Sequence, residues 1–377
     1  MSITRTPVLA RRGRPRKEAS QPLAATEEQT SRQRKAPRPA TMHDVAAIAG
    51  VSVSTISHIL NGTRAVPEQT RARVAEAVIA AGYTPNSLAR SLKRAETRTL
   101  GIAIGDITNP HFTAVVDAAE AAARARGYSV LLVGISESAE RESEGLTTLI
   151  ERRVDGLIVC PSAEGGGAAL DRLQRQKPAI VQIDRLANPN CDAVLVENTE
   201  GARLLTRHLI ECGHRRIGML TGLPGLSSTR ERIEGYCTGL REAGLPFDPR
   251  LLACGEYSAE PARRATAALL AEADPPTALF ASNNLMTLGV MQALAERSLT
   301  IPDDIAMVAF DDFAWADQFK PHLTTVAQPC RAIGEAAVRL LLERLANPDL
   351  PPRLLRLPVE FRHRNSCGCL APATTPG

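Results

Sequence analysis

The chain has 377 residues, 44% of them hydrophobic and 23% charged, a balance that suits a globular protein with two or three full cores. No apolar run approaches the roughly 20 residues of a membrane span, and the arginine-bearing N-terminus lacks an apolar stretch. A membrane helix and a secretory signal are therefore not expected, and a cytoplasmic location is. The net charge of +4 is uneven: ten Lys/Arg against three Glu put +7 on residues 1–40, residues 41–98 carry +3, and residues 99–377 carry −6. A basic front on an acidic body points to a polyanion partner for the front alone.

Residues 1–40 are rich in Arg, Pro, Ala, Gln and Ser without periodicity, and read as a disordered basic tail. Within it, Arg12-Gly13-Arg14-Pro15-Arg16 resembles an AT-hook core, a short segment whose arginines suit a narrow minor groove. A generic basic tail that raises DNA affinity through counterion release is the plainer reading. Thr41 with Asp44 fits a capping box, and Val45 and Ile48 are spaced to share one apolar face of a first helix. Gly50 permits a sharp turn, and Ser52 can cap a second helix that buries Ile56, Ile59 and Leu60. Val53, Ser54, Ser57 and His58 are left facing outward. Such a pair is either a DNA-reading helix-turn-helix or two ordinary core helices. A third helix begins near Pro67, with Val74 and Val78 inward and Gly82 as its C-cap. Asn86–Arg94 is short, basic and amphipathic, and leads into a polar link.

From Leu100 the texture changes. Apolar runs at 100–104, 128–133, 156–160, 179–183, 193–196, 216–221, 277–281 and 305–310, with a weaker one at 250–254, alternate with helical stretches. That rhythm predicts βαβ units in two similar halves, with parallel sheets and a cleft at the carboxyl ends of the strands. The run Gly165-Gly166-Gly167 lacks a dinucleotide or phosphate-loop spacing and reads as a surface loop. The eight cysteines form no CxxC pair, and no cysteine cluster meets a histidine at zinc spacing. Most read as small buried residues of a reducing compartment, with Cys367-Gly368-Cys369 a minor soft-metal possibility, so neither metal nor cofactor is expected.

TMHDVAAIAGVSVSTISHILNGTRAVPEQTR, then GYTPNSLARSLKR and TRTLGIAIGDITNPHF, resembles the lactose-repressor (LacI) family of bacterial transcription regulators. The match continues through RRVDGLIVCPS, ECGHRRIGMLTG, STRERIEGY, ALFASNN, IPDDIAMVAFDD and PHLTTVAQP, from Thr41 to the end. The resemblance implies an α/β protein: an N-terminal all-α helix-turn-helix headgroup on a two-subdomain periplasmic-binding-protein-like core with parallel sheets. The domains expected are the tail (1–40), the headgroup (41–85), a hinge helix and linker (86–98) and the core (99–377). Within the core, subdomain one takes about 99–197 and 327–347, and subdomain two about 198–326 and 348–377. The helix at 330–346 then belongs to the first subdomain and a final strand near 354–360 to the second. A regulator of this kind, a repressor by expectation, is nucleoid-associated. It binds a pseudo-palindromic double-stranded operator as a homodimer, with a tetramer left open, and answers to a small, sugar-like effector.

By the same resemblance, Val53, Ser54 and His58 fall at base-reading positions, and Leu92 matches a hinge leucine that wedges into the minor groove. His58 stands where arginine is usual in the family, so weaker or altered base preference is expected. Thr55, Ser57, Asn61 and Thr70 carry groups suited to phosphate contacts. In the core, His111, Phe112, Arg232, Tyr257, Asn283 and Asp311 match effector-pocket positions, and Asp184 at the end of a strand is a further candidate; an Arg–Asp–Asn set can bind adjacent sugar hydroxyls. Asn284 stands where aspartate is usual. A transport-type solute-binding module is the alternative, which the headgroup argues against. An enzyme is not expected, because GxSxG, Walker A, dinucleotide and HExxH patterns are all missing.

Overall fold

A computed structural model describes residues 38, 40–61, 63–83, 96–163, 166–174, 179–313, 316–318 and 320–369. The AT-hook-like segment, the hinge stretch 86–94 with Leu92, and Gly165 lie outside the described residues. The chain divides into two compact units, 1–86 and 87–377.

Among its described residues the first unit has three helices, α1 (Met42–Ala49), α2 (Val53–Asn61) and α3 (Glu68–Ala81). The Thr41 backbone N–H and hydroxyl both donate to Asp44 Oδ2, each at 2.7 Å, which fixes the start of α1. Gly50, at φ +64°, ends it in a left-handed conformation that side chains other than glycine rarely adopt. The axis bends by 104° into α2, where Ser52 Oγ accepts from the Thr55 N–H at 3.1 Å. Val45, Ala46, Ala49, Ile56, Val74, Ala77 and Tyr83 form the core, with Ile59, Leu60 and Val78 packed at its edge.

Two expectations fail here. Ile48 is 55% exposed, because the buried face of α1 is centred between Val45, Ala46 and Ala49, more than a quarter-turn from Ile48. Val53 lies half-buried against the core instead of facing fully outward.

The second unit begins with β1 (Thr99–Ile104), α4 (Pro110–Arg124), β2 (Ser129–Gly134), α5 (Ala139–Glu151), β3 (Gly156–Val159), α6 (Gly166–Gln174), β4 (Ala179–Ile183) and β5 (Asp192–Val196). Gly166 and Gly167 thus open a helix. Next come α7 (Asn198–Glu211), β6 (Ile217–Thr221), α8 (Ser227–Glu242), β7 (Leu252–Cys254), α9 (Ala259–Leu269), β8 (Ala278–Ala281), α10 (Asn284–Ala295), β9 (Ala306–Phe310) and β10 (Thr324–Ala327). The chain closes with α11 (Cys330–Ala346), β11 (Leu354–Leu357) and β12 (Glu360–Arg362).

Two six-stranded sheets result, in orders β11-β5-β4-β3-β1-β2 and β12-β10-β9-β8-β6-β7. Every pairing is parallel except β10 with β12. Strands β3, β4, β5, β6, β8 and β9 are buried along their whole length, as parallel strands covered on both faces must be. Each fully buried Val, Leu or Ile there contributes about 1.5–3 kcal/mol. Helix α11 lies against α4 on the first sheet, with Gly334 at the contact; a Cβ there would sit 2.6 Å from the Val115 carbonyl oxygen.

The chain passes between the sheets three times, after β5, β10 and β11. The expected final strand is therefore corrected: 354–357 extends the first sheet and only 360–362 the second. Asp192 supplies the reason. Its wholly buried carboxylate is bonded by Arg344 Nη2 (3.0 Å), Arg353 Nη2 (3.2 Å) and the Arg353 backbone N–H (2.8 Å), which ties the start of β11 to β5 and α11.

Candidate effector cleft and DNA-reading helix

The polar residues of the core gather at the carboxyl ends of the parallel strands. After β4 comes Asp184, at φ +66°, and after β9 comes Asp311, at φ +77°. After β2 and β7 the chain turns through further left-handed residues, Glu137 (φ +56°) and Tyr257 (φ +54°). Each lies over a glycine that follows a neighbouring strand. A Cβ on Gly105 would meet Glu137 Oε1 at 2.4 Å, and one on Gly222 would meet the Tyr257 ring at 2.0 Å. Left-handed backbone at four non-glycine positions stores strain of the order of 1–3 kcal/mol each, a cost that is concentrated at binding sites.

On the first sheet's side, His111 begins α4, where its backbone N–H donates to the capping Asn109. Its Nε2 lies 3.6 Å from Asp184 Oδ1, and its Nδ1 3.4 Å from Cys330 Sγ. Desolvation pulls the His111 pKa down, but the Cys330 hydrogen bond and the nearby Cys330, Asp311 and Asp184 outweigh it and push it up to about 9. These neighbours favour the protonated imidazolium over the neutral ring. Burial likewise opposes ionisation of Asp184, yet Arg185, His111 and Arg232 hold its carboxyl below the ordinary value. Arg185, which the sequence reading missed, bonds Asp184 (3.0 Å), Glu137 (2.5 Å) and the Pro161 carbonyl (3.1 Å).

On the second sheet's side, Arg232 donates to Asn198 Oδ1 at 2.9 Å and to the Ser282 carbonyl, with its guanidinium 3.9 Å from the Phe310 ring centre. The Tyr257 hydroxyl is 2.9 Å from Thr229 Oγ1. Asn283 spends its side-chain oxygen on the Met286 N–H, capping α10. Asp311 Oδ1 accepts from Gln328 Nε2 at 2.6 Å. Among the described residues, neither amide atom of buried Asn284 nor Gln328 Oε1 has a hydrogen-bond partner. The two sides meet through Arg185, stacked 5.3 Å from the Tyr257 ring centre, and through the Leu186 N–H, which donates to Ser227 Oγ at 2.8 Å.

The structure places His111, Phe112, Asp184, Arg232, Tyr257, Asn283 and Asp311 at these facing strand ends. The Phe112 ring, 5% exposed, lies beside the His111 ring near Gly105 and also packs into the apolar core of the first sheet. Arg185, Glu137, Gln328 and Asn284 join the set. Their one local signal is that all four lie within three residues after a strand: Glu137 after β2, Arg185 after β4, Asn284 after β8 and Gln328 after β10.

In α2, Ser54 is exposed, while Thr55, Ser57 and His58 are half-buried. His58 Nδ1 lies 2.8 Å from Thr63 Oγ1, which orients the ring. Thr70 sits half-buried in the first turn of α3, and the side chain of Asn61 lies outside the described residues.

A helix-turn-helix unit followed by a two-sheet core with a polar cleft defines a DNA-binding regulator with a small-molecule site. Residues 41–86 match the family described as "Bacterial regulatory proteins, lacI family", and residues 206–367 match a "Periplasmic binding protein-like domain". The chain is 35% identical over 329 residues to the HTH-type transcriptional repressor PurR of Vibrio atlanticus, covering 87% of this chain and 98% of that one. Among solved structures it is similar to a putative ribose operon repressor from Burkholderia thailandensis (38% identity, TM-score 0.65, 70% of this chain and 98% of that one). It is also similar to the Lac repressor dimer bound to operator and the anti-inducer ONPF (28% identity, TM-score 0.76, 88% and 99%). The chain belongs to the lacI family of bacterial regulatory proteins: it is a DNA-binding transcriptional regulator, and its relatives are repressors, not enzymes. Among the described residues no single helix is long and apolar enough to cross a membrane.

Proposed function

We propose that the protein is a repressor that binds a pseudo-palindromic operator as a homodimer and changes its operator affinity when a polyhydroxylated, sugar-like effector occupies the core cleft. Residues 41–85 form the DNA-binding headgroup, 86–98 the hinge and 99–377 the effector core. On the DNA, Val53, Ser54 and His58 read bases. Thr55, Ser57, Asn61 and Thr70 contact phosphates, and Leu92 enters the minor groove. On the effector, Asp184, Asp311, Arg232, His111, Asn283 and Asn284 supply acceptors and donors, and Tyr257 supplies an aromatic wall.

What carries this reading is the mixture at the strand ends: carboxylates, guanidinium groups and carboxamides from both sheets, interleaved with aromatic rings. Adjacent hydroxyls need donors and acceptors side by side, and the C–H face of a sugar ring suits an aromatic surface. Contacts between the two sides give the ligand a means to act, because a ligand held by both favours one relative arrangement of the sheets.

The test is a thermal-shift screen of the full-length protein against pentoses, hexoses, disaccharides, sugar acids and nucleobases, followed by operator selection from a random palindromic library with and without the hit. A sugar that raises Tm in the wild type, loses at least about tenfold in affinity in Asp311→Ala, and alters binding to the selected operator supports the reading. A hit that binds Asp311→Ala unchanged places the effector elsewhere, and failure to enrich any palindrome removes the operator assignment.

A further inference from the structure

The C-terminal turn after β12 meets the end of α7 in a cluster that the effector cleft does not use. His208 lies in the last turn of α7 and Cys212 follows four residues later, on the same side of the helix axis. Cys367 and Cys369 come from the turn near the chain's end, where Gly368 takes φ +78° between them. One donor atom from each of the four lies within 4.8 Å of all the others. His208 Nε2 is 3.6 Å from Cys212 Sγ and 3.5 Å from Cys369 Sγ, while the Cys367 and Cys369 sulfurs are 2.9 Å apart.

Those distances are close to the edges of a metal-centred tetrahedron. Zinc–sulfur bonds of about 2.3 Å and zinc–nitrogen bonds of about 2.0–2.1 Å at tetrahedral angles put donors roughly 3.5–3.8 Å apart. Both histidine–sulfur edges agree. The Cys367–Cys369 separation is too long for a disulfide, whose sulfurs lie about 2.05 Å apart, and needs to open by under about 1 Å to span a metal.

The surroundings suit a soft ion. The donor set is three sulfurs and an imidazole without a carboxylate, which disfavours magnesium and calcium. Cys367 is wholly buried, and Cys212 and Cys369 pack against the apolar core of the second sheet, with the Phe361 ring centre 5.1 Å from that of His208. An outer layer of hydrogen-bonding groups is also in place: Thr324 Oγ1 donates to Cys367 Sγ at 3.5 Å, and His363 Nε2 lies 3.1 Å from Cys369 Sγ. The turn is itself held firmly. Ser366 Oγ donates to the Met307 carbonyl at 2.6 Å, and the Ser366 N–H to the His322 carbonyl at 3.0 Å.

We propose that His208, Cys212, Cys367 and Cys369 form a Cys3His site for one soft metal ion, zinc(II) or copper(I), that staples the C-terminal turn to α7. Thr324 opens β10, so this site lies at the opposite strand ends from the effector cleft, and its role is structural.

The test uses untagged full-length protein purified with reductant from metal-supplemented cells. Elemental analysis is expected to find one zinc or copper per chain and to say which. Reconstitution with cobalt(II) is expected to give the near-ultraviolet thiolate-to-cobalt band and the intense visible bands of tetrahedral coordination, a readout that needs no variant. Cys212→Ser and the double variant Cys367→Ser/Cys369→Ser lose the ion and the cobalt spectrum, whereas Cys237→Ser keeps both. The proposal is overturned by fewer than about one ion in ten chains after zinc and copper dialysis, by a cobalt spectrum unchanged in the double variant, or by mass-spectrometric recovery of Cys367 and Cys369 as a disulfide from reductant-prepared protein.

Discussion

The Arg185 guanidinium stands 5.3 Å from the centre of the Tyr257 ring, and the two residues come from opposite sheets of the core. Arg185 donates on its own side through Nε to Asp184 and through Nη1 to Glu137 and the Pro161 carbonyl, and the tyrosine offers the guanidinium its aromatic face. The ring fills the space over Gly222, and its hydroxyl reaches Thr229. Tyr257→Phe keeps the ring and is expected to cost about 1 kcal/mol, the net worth of one hydrogen bond. Tyr257→Ala removes the ring and is expected to cost about 3–5 kcal/mol. Urea denaturation followed by circular dichroism checks both; equal losses would mean that the ring contributes nothing.

Protonation of His111 stabilises the fold. Its folded pKa of about 9 lies above the ordinary histidine value of 6.5. The contribution is therefore fully present below pH 6.5 and is lost as pH rises through about 9, with a ceiling of about 3 kcal/mol. His111→Asn is expected to flatten the fall in Tm between those pH values. A variant whose Tm declines as steeply as wild type would exclude the imidazolium as the source.

Asn284 and Gln182 make opposite predictions although both are buried amides. Gln182 accepts from the Ala187 and Asn188 N–H groups and donates to the Asn188 carbonyl, so Gln182→Ala is expected to cost about 2–4 kcal/mol. Both polar atoms of the Asn284 side chain lack partners among the described residues. Asn284→Ala is expected to leave the free protein unchanged or about 1 kcal/mol more stable, while weakening the effector. Chemical denaturation with and without ligand separates the two effects. Equal destabilisation by the two substitutions would refute the assignment of Asn284 to the ligand.

His58→Arg is expected to shift one operator position toward guanine, by about 1–3 kcal/mol of discrimination, because guanidinium can make two parallel bonds to that base where imidazole makes one. Selection of operators by the variant and wild type measures it directly. Identical consensus sequences would remove His58 from the base readers.

Much of the fold was legible because β1, β3–β6, β8 and β9 are short apolar runs buried on both faces. The last three strands were not. β10 begins with the buried threonines Thr324 and Thr325, and β11 is an edge strand whose residues alternate between exposed and half-buried. The placement of β11 depends on Asp192 meeting Arg353 across 161 residues, which no local pattern reports. In the cleft, strand-end residues such as Asp184 and Asp311 could be found by position. Gln328 and Arg185 earn their places through contacts to Asp311 and Glu137, 17 and 48 residues away. The same holds for the thiol cluster: the i, i+4 pair His208 and Cys212 looks ordinary until the fold brings Cys367 and Cys369 to it.

The Asp311–Gln328 bond has a consequence for signalling range. Gln328 occupies the short crossover between β10 and α11, one of the three segments of chain that connect the sheets. In the proposed site, a ligand hydroxyl that donates to Asp311 shares its carboxylate with that crossover. The coupling carried there is bounded by a single hydrogen bond to a charged group, worth about 1.5–3 kcal/mol. Through this route alone, effector and operator can alter each other's affinity by no more than about ten- to 150-fold, so a larger induction ratio requires a second, independent lever elsewhere in the cleft.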